Sequence, residues 1–243
     1  MPKATLAIGL IVFLLATLSV DPALAQNSNA PIRSLPTSLH FSHLTEEQGL
    51  LSDSIFSIAQ DSKGFMWFGT FNGLNRYDGY EFKAYRSDPG DPNSLSSDAI
   101  RKILVDDDGV LWVGTWLAGL CRFDSSIEQF TCYRHDPDDP GSLSDDAIRE
   151  VIQDRDGMLW IGTQDRGLDR LNPETGQIVH YPHDPSDPHS LSNNHIEVIY
   201  QDHDGVLWIG THNGGLNRYA SATATDSGAG PFTHYRHDPN DPT

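Results

Sequence analysis

The apolar positions of this chain fall into two patterns. From Ala4 to Val20 they run together almost without interruption. From about residue 50 onward they come instead as short runs bounded by Gly, Pro, Asp and Ser clusters. Runs of this second kind predict β-strands. Ala99–Val105, Val110–Thr115, Gly119–Phe123 and Gln129–Arg134 are four such strands in succession, here called a, b, c and d. Strands a and b are joined by Asp106-x-x-Gly109. This predicts a tight turn, because an Asp side chain can bond the backbone two residues on and Gly accepts positive φ without strain.

The same pattern recurs along the chain. Met66-Trp67-Phe68-Gly69-Thr70, Leu111-Trp112-Val113-Gly114-Thr115, Leu159-Trp160-Ile161-Gly162-Thr163 and Leu207-Trp208-Ile209-Gly210-Thr211 are four copies of one phrase, with Trp-to-Trp spacings of 45, 48 and 48. Each copy follows an Asp-x-x-Gly turn and precedes Gly-Leu-x-Arg. Between copies lies Asp-Pro-x-Asp-Pro-x-Ser-Leu-Ser, beginning at Asp88, Asp136 and Asp184, and a further start at Asp238 reaches Thr243. Four antiparallel strands repeated at this period predict an all-β fold, a β-propeller of four-stranded blades at about 53–90, 98–138, 146–186 and 194–243. The Trp of strand b reads as core between blades. The Gly two residues on shares its face and permits close approach of sheets. The run Asp106-Asp107-Asp108 offers too few ligands for calcium, and the turn already explains it.

The phrase D-x-x-G-x-[LM]-W-[IVF]-G-T followed by G-L-x-R resembles the two-component regulator propeller repeat, and the resemblance covers roughly Leu39 to Thr243. It implies a seven-bladed propeller outside the inner membrane, ahead of a membrane helix and a cytoplasmic histidine kinase or diguanylate cyclase. It also implies a sensor of an oligosaccharide or another polymer breakdown product. No kinase or cyclase motif stands in this chain, so the sensor role rests on the resemblance.

The first apolar pattern reads as a secretory leader over 1–25. Lys3 supplies the charged start, Pro22 breaks the helix, and Ala23-Leu24-Ala25 offers a cleavage site after Ala25. An uncleaved anchor is the competing reading. Export to the periplasmic side of the inner membrane is therefore expected, with a linker over 26–38 and the propeller region over 39–243. The net charge of −18 argues against nucleic acid and anionic membranes as partners. Leu39-His40-Phe41-Ser42-His43-Leu44 is expected to be a lone d strand ahead of four complete units. Its order implies that the ring, truncated here, closes with further blades beyond Thr243, and that the open run associates or dimerises.

In a propeller the d–a and b–c loops share one rim and the a–b and c–d turns share the other. The a–b turns repeat closely. The b–c loops differ in every unit, and their residues are the candidate ligand contacts: Phe71 and Asn72, Trp116, Gln164, Asp165 and Arg166, His212 and Asn213. Phe71 and Trp116 can stack on the apolar face of a sugar, and the others can bond hydroxyls. Asp53, Asp98, Asp146 and Asn194 open each strand a and read as caps of loop amides. The set Phe56, Arg101, Arg149 and Glu197 follows them, with its direction left open. Most His residues fall in the linkers and read as solvated surface. No catalytic set, metal cluster or cofactor motif stands out. A secreted propeller glycosidase or lyase, and a lectin-like scaffold, remain the alternatives.

Cys121 lies on strand c of the second unit and Cys132 on strand d. If Asp124 pairs with Gln129 around a four-residue loop, the two cysteines face each other across the ladder. In an exported chain this predicts a disulfide.

Overall fold

The computed structural model describes residues 41–220 and 231–237. It holds four four-stranded antiparallel sheets, each built from consecutive strands in sequence order. Blade 1 is β1 (Ile55–Gln60), β2 (Met66–Thr70), β3 (Gly73–Tyr77) and β4 (Phe82–Tyr85). Blade 2 is β5 (Ile100–Val105), β6 (Leu111–Thr115), β7 (Leu120–Asp124) and β8 (Gln129–Tyr133). Blade 3 is β9 (Ile148–Gln153), β10 (Leu159–Thr163), β11 (Leu168–Leu171) and β12 (Ile178–Tyr181). Blade 4 is β13 (Ile196–Gln201), β14 (Leu207–Thr211), β15 (Gly215–Tyr219) and β16 (Phe232–Tyr235). The strands read from the sequence thus form, within a residue or two at their ends.

The opening strand does not form in the described part of its segment. Residues 41–45 hold no strand and lead into a single 3₁₀ turn, Glu46–Gln48; Leu39 and His40 lie outside the described residues. Each of the four described sheets has its own fourth strand, and none of them takes this segment as a fifth.

The aspartate of each a–b turn does more than shape the turn. In blade 3 one carboxylate oxygen of Asp154 accepts the N–H groups of Asp156 and Met158, and the other accepts the Trp160 indole N–H at 2.7 Å. Asp61, Asp106 and Asp202 hold Trp67, Trp112 and Trp208 in the same way. The clamp fixes the indole and engages both carboxylate oxygens.

Three cores fill the joints between blades, one per joint. Trp67 packs with Ile100, Ile103 and Phe123 of blade 2; Trp112 with Ile148 and Val151 of blade 3; Trp160 with Ile196 and Ile199 of blade 4. Opposite each first-strand isoleucine lies the glycine of the repeated phrase. A Cβ on Gly114 would stand 2.7 Å from Ile148, and one on Gly162 2.5 Å from Ile196, so each glycine is the socket for the next blade's knob. The outer two faces are open among the described residues: Ile55 and Ile58 on blade 1, and Val198, Tyr200 and Tyr235 on blade 4, are substantially exposed.

The linkers are pinned rather than merely solvated. Leu95, Leu143 and Leu191 of the Ser-Leu-Ser phrases are buried. The serine before each returns to the linker backbone, as Ser94 does to Asp88 and Asp91. The linker histidines, expected to be solvated surface, are part of this fixing, as is His234 of β16. His135 bonds the Leu143 carbonyl at 2.7 Å, His183 bonds that of Leu191, and His234 that of Ser190 at 2.6 Å. A polar side chain on strand c receives the backbone N–H that follows the buried leucine. Asn75 accepts Leu51 N–H, Asp169 accepts Ser144 N–H, and Asn217 accepts Ser192 N–H, all at 2.8–2.9 Å with the side chains fully buried. In blade 2 the corresponding residue is Cys121. The ladder pairs it with Cys132, and the two sulfurs are bonded.

Candidate functional site

Every first strand carries a β-bulge near its start. Ile55 pairs with Thr70 and Ser57 with Gly69, which leaves Phe56 as the extra residue. The same two-against-one pairing isolates Arg101, Arg149 and Glu197. A bulge turns its extra side chain out of the alternation that packs the joint. Phe56, Arg101 and Glu197 thereby meet the b–c loops of their own blades at Phe71, Trp116 and His212, while Arg149 reaches Glu197 of the next blade, and the two sets form one rim.

The b–c loops are held by the repeated frame. The threonine of each phrase donates to the carbonyl of the glycine after the loop, as Thr115 does to Gly119 at 2.9 Å and Thr163 to Gly167 at 2.8 Å. Gly119 has φ +82°, and a Cβ there would lie 2.1 Å from the Tyr133 carbonyl oxygen. Its N–H donates to the carbonyl of Asp146, at the start of the next blade. The d–a and b–c loops therefore meet on one rim. Three of the four caps work as read: Asp98 accepts Ser87 N–H, Asp146 accepts His135 N–H and Asn194 accepts His183 N–H, whereas Asp53 accepts no such bond among the described residues.

The predicted contacts divide into two groups on this rim. Phe71 and Trp116 come together with the bulge residue Phe56, with ring centroids 5.6–5.7 Å apart in all three pairs. Phe71 is 51 % exposed and Phe56 40 %. Trp116 is only partly exposed, because the Arg101 guanidinium covers its ring at 4.8 Å. Phe71 is therefore the open stacking surface, and Trp116 backs it. On the far side Arg149 and Glu197 form an ion pair at 2.7 Å. Glu197 also lies 3.3 Å from His212 and 3.4 Å from His195, whose rings stand 5.0 Å apart. Chiefly the hydrogen bond from Arg149, aided by its charge, lowers the Glu197 pKa below the usual carboxylate value.

Between these groups, Gln164, Asp165 and Arg166 are anchored by their backbone N–H groups, and their side chains make no hydrogen bond among the described residues. The Asn72 amide is engaged by the Leu51 carbonyl at 3.3 Å. Asn213 adopts φ +58° and serves the turn. The residues that sequence reasoning left unassigned are Phe56, Arg101, Arg149 and Glu197. Their signal is a broken alternation. Ile55/Ile58, Ile100/Ile103, Ile148/Val151 and Ile196/Ile199 are spaced by three where a plain strand requires two. A hollow of about 500 Å³ lies elsewhere, along the linker from Ser87 to Ser96. The Ser94 hydroxyl on its lining is already paired with the linker backbone at Asp88 and Asp91.

Residues 49–72, 94–117, 142–165 and 190–213 each match the two component regulator propeller family, a span running from the linker through strands a and b into the b–c loop. Histidine kinase P4 of Formosa agariphila is 42% identical over 72 residues, which are 30% of this chain and 5% of that protein. The extracellular domain assigned to a hybrid two component system of B. thetaiotaomicron superposes with a TM-score of 0.71 at 29% identity, over 81% of this chain and 26% of that one. Virginiamycin B lyase from Staphylococcus aureus is similar in fold alone, with a TM-score of 0.55 at 18% identity over 76% of this chain and 56% of the lyase. The chain thus spans a small part of the kinase and about a quarter of the solved extracellular domain.

Proposed function

This chain carries four two component regulator propeller repeats, and from that we propose that it is the ligand-sensing region of an exported signal-transduction protein, binding an oligosaccharide on the b–c rim. The observation that carries the reading is the contrast within each repeat. The frame of aspartate, tryptophan, glycine and threonine is the same four times, while the b–c loop it holds up differs each time and the bulge carries Phe56, Arg101, Arg149 or Glu197. An exposed aromatic cluster beside polar side chains with no internal partner suits a sugar, which has an apolar face and a hydroxylated edge. The similarity to an extracellular domain of a hybrid two component system supports the sensing role and the export. The leader over 1–25 supports export as well. A membrane helix and a kinase or cyclase would lie in further chain, with a homodimer as the signalling unit.

The test is titration of the chain against a panel of oligosaccharides, followed by chromatography of each ligand after incubation. The sensing reading expects binding with the ligand recovered intact. Phe71→Ala should weaken that binding by about 1–3 kcal/mol, on the scale of losing one large contact surface. Recovery of cleaved products would establish a glycosidase or lyase instead. Binding indifferent to Phe71→Ala would move the site off this rim.

A further inference from the structure

Resting on the reading that the rim takes a saccharide, we propose that this saccharide is acidic, with its carboxylate or sulfate received by Arg101 and Arg149 and its ring on Phe71. The chain has 34 acidic and 16 basic side chains, so counter-ions are plentiful. Lys102 and Arg149 both find a carboxylate of a neighbouring blade. Arg101, one residue before Lys102, finds none among the described residues. The bulge sets it on the rim against Trp116, partly buried. Partial burial first, and then the nearby charge of Arg149, lower its pKa, with Glu197 and Glu150 opposing them less strongly.

The polar atoms beside it point the same way. The Trp116 Nε1–H and the Arg149 Nε–H are buried without a hydrogen-bond partner. Both are donors with no acceptor alternative. Unmade bonds of this kind are costly, and two of them on side chains that neighbour an unpaired guanidinium call for a group rich in acceptor oxygens. A neutral hydroxyl supplies one acceptor and no charge, whereas a carboxylate or sulfate supplies several and neutralises Arg101. The adjoining Phe56–Phe71–Trp116 cluster then places the apolar face of the same residue. Arg149 remains shared with Glu197, so Arg101 is the principal contact.

The test uses the chain with three probes of matched length: an oligogalacturonate, a sulfated galactan oligosaccharide and a neutral galactan oligosaccharide. At least one acidic probe should bind about tenfold or more tighter than the neutral one, and this preference should shrink as salt is raised. Arg101→Gln should weaken acidic-probe binding by about ten- to a hundredfold and neutral-probe binding by much less, so that the preference for the acidic probe collapses. Arg101→Lys should recover part of it, since charge returns without the planar fork. Whether the uronate or the sulfate probe responds identifies the acid group. Circular dichroism of each variant reports that the fold is kept, so a loss with native spectra counts for the proposal. If the neutral probe binds as well as both acidic ones, or if Arg101→Gln changes nothing while Phe71→Ala weakens binding, the acidic assignment fails and the rim reading stands. If no probe binds, both fail.

Discussion

The joints between blades and the rim above them are made by neighbouring residues with opposite histories. Ile100, Ile148 and Ile196 each enter the glycine socket of the preceding blade, and the very next residues are Arg101, Arg149 and Glu197. Gly114, Gly162 and Gly210 lie two residues before Trp116, Gln164 and His212. One position faces the same packing problem in every repeat and holds the same residue. The adjacent one is released by the bulge or the loop and is not held to one residue type: Phe56, Arg101, Arg149 and Glu197 at the bulge. In a repeat protein each interface depends on its own pair of neighbours, so sameness marks what the stack needs. Difference one residue away marks where the stack makes no demand and a ligand can.

The comparison breaks most visibly at tryptophan, because the same residue occurs in filled and open joints. Trp160 is 2 % exposed and packs on Tyr181 and Tyr219, whereas Trp208 is only partly covered and touches Tyr235 of its own blade. Trp160→Ala should cost about 3–5 kcal/mol, the range for deleting a buried large aromatic. Trp208→Ala should cost clearly less, since it leaves a surface notch in place of a cavity. Urea denaturation of both variants checks this. Equal losses would show that the fourth blade's open face is covered in solution, as association of copies would do.

Much of the frame was legible before any coordinates. Strand positions, the four-blade period, the role of tryptophan and glycine and the c–d register of blade 2 all follow from periodicity and turn chemistry, which act over a few residues. What stayed hidden depends on partners far apart in sequence. The bulge was visible only as Ile-to-Ile spacings of three, and its consequence for Arg101 needed the neighbouring loop. The bonds from His135, His183 and His234 to linker carbonyls, and the Asp169 latch, join segments that no local pattern relates. The opening segment copied the residues of a strand but joins none of the four described sheets, and strand propensity alone does not supply a ladder.

A smaller effect is expected where the frame itself departs from repetition, at the strand c latch. Blades 1, 3 and 4 hold the linker with Asn75, Asp169 and Asn217, and blade 2 uses the Cys121–Cys132 bond in its place. The bridged residues are 11 apart, so the closed loop is short. Its loss should cost about 2–3 kcal/mol at most on the chain-entropy account. Thermal denaturation with and without reductant, compared with Cys121→Ser/Cys132→Ser, measures it. The reduced chain should still fold, because Leu95, Phe123 and Phe130 keep the joint filled. Complete unfolding on reduction would mean that the bridge, rather than the joint, holds blade 2.

The smallest effect is the charged version of the same latch. His180 pairs with the fully buried Asp169 at 2.7 Å through Nδ1 and meets the Pro140 carbonyl at 3.0 Å through Nε2. Both partners are acceptors, so the doubly protonated ring satisfies both at once, and the hydrogen bond to Asp169 leads in raising the His180 pKa above its ordinary 6.5. The native chain therefore holds this proton more tightly than the unfolded one. The resulting stabilisation is complete below about pH 6.5, where both states are protonated, and drains away as pH rises through the higher native value. His180→Gln removes it while leaving an amide to meet Asp169. The stability difference between the parent chain and this variant should thus be larger near pH 6 than near pH 8.5, where only the neutral ring's bonds remain. Blade 4 provides the control, because His234 stands opposite the neutral Asn217. His234→Gln should show a weaker dependence on pH over that window. If the two variants respond alike, the ordering of the linker by its carbonyl bonds outweighs the Asp169 charge, and the latch is one uniform device in all the blades that carry a histidine.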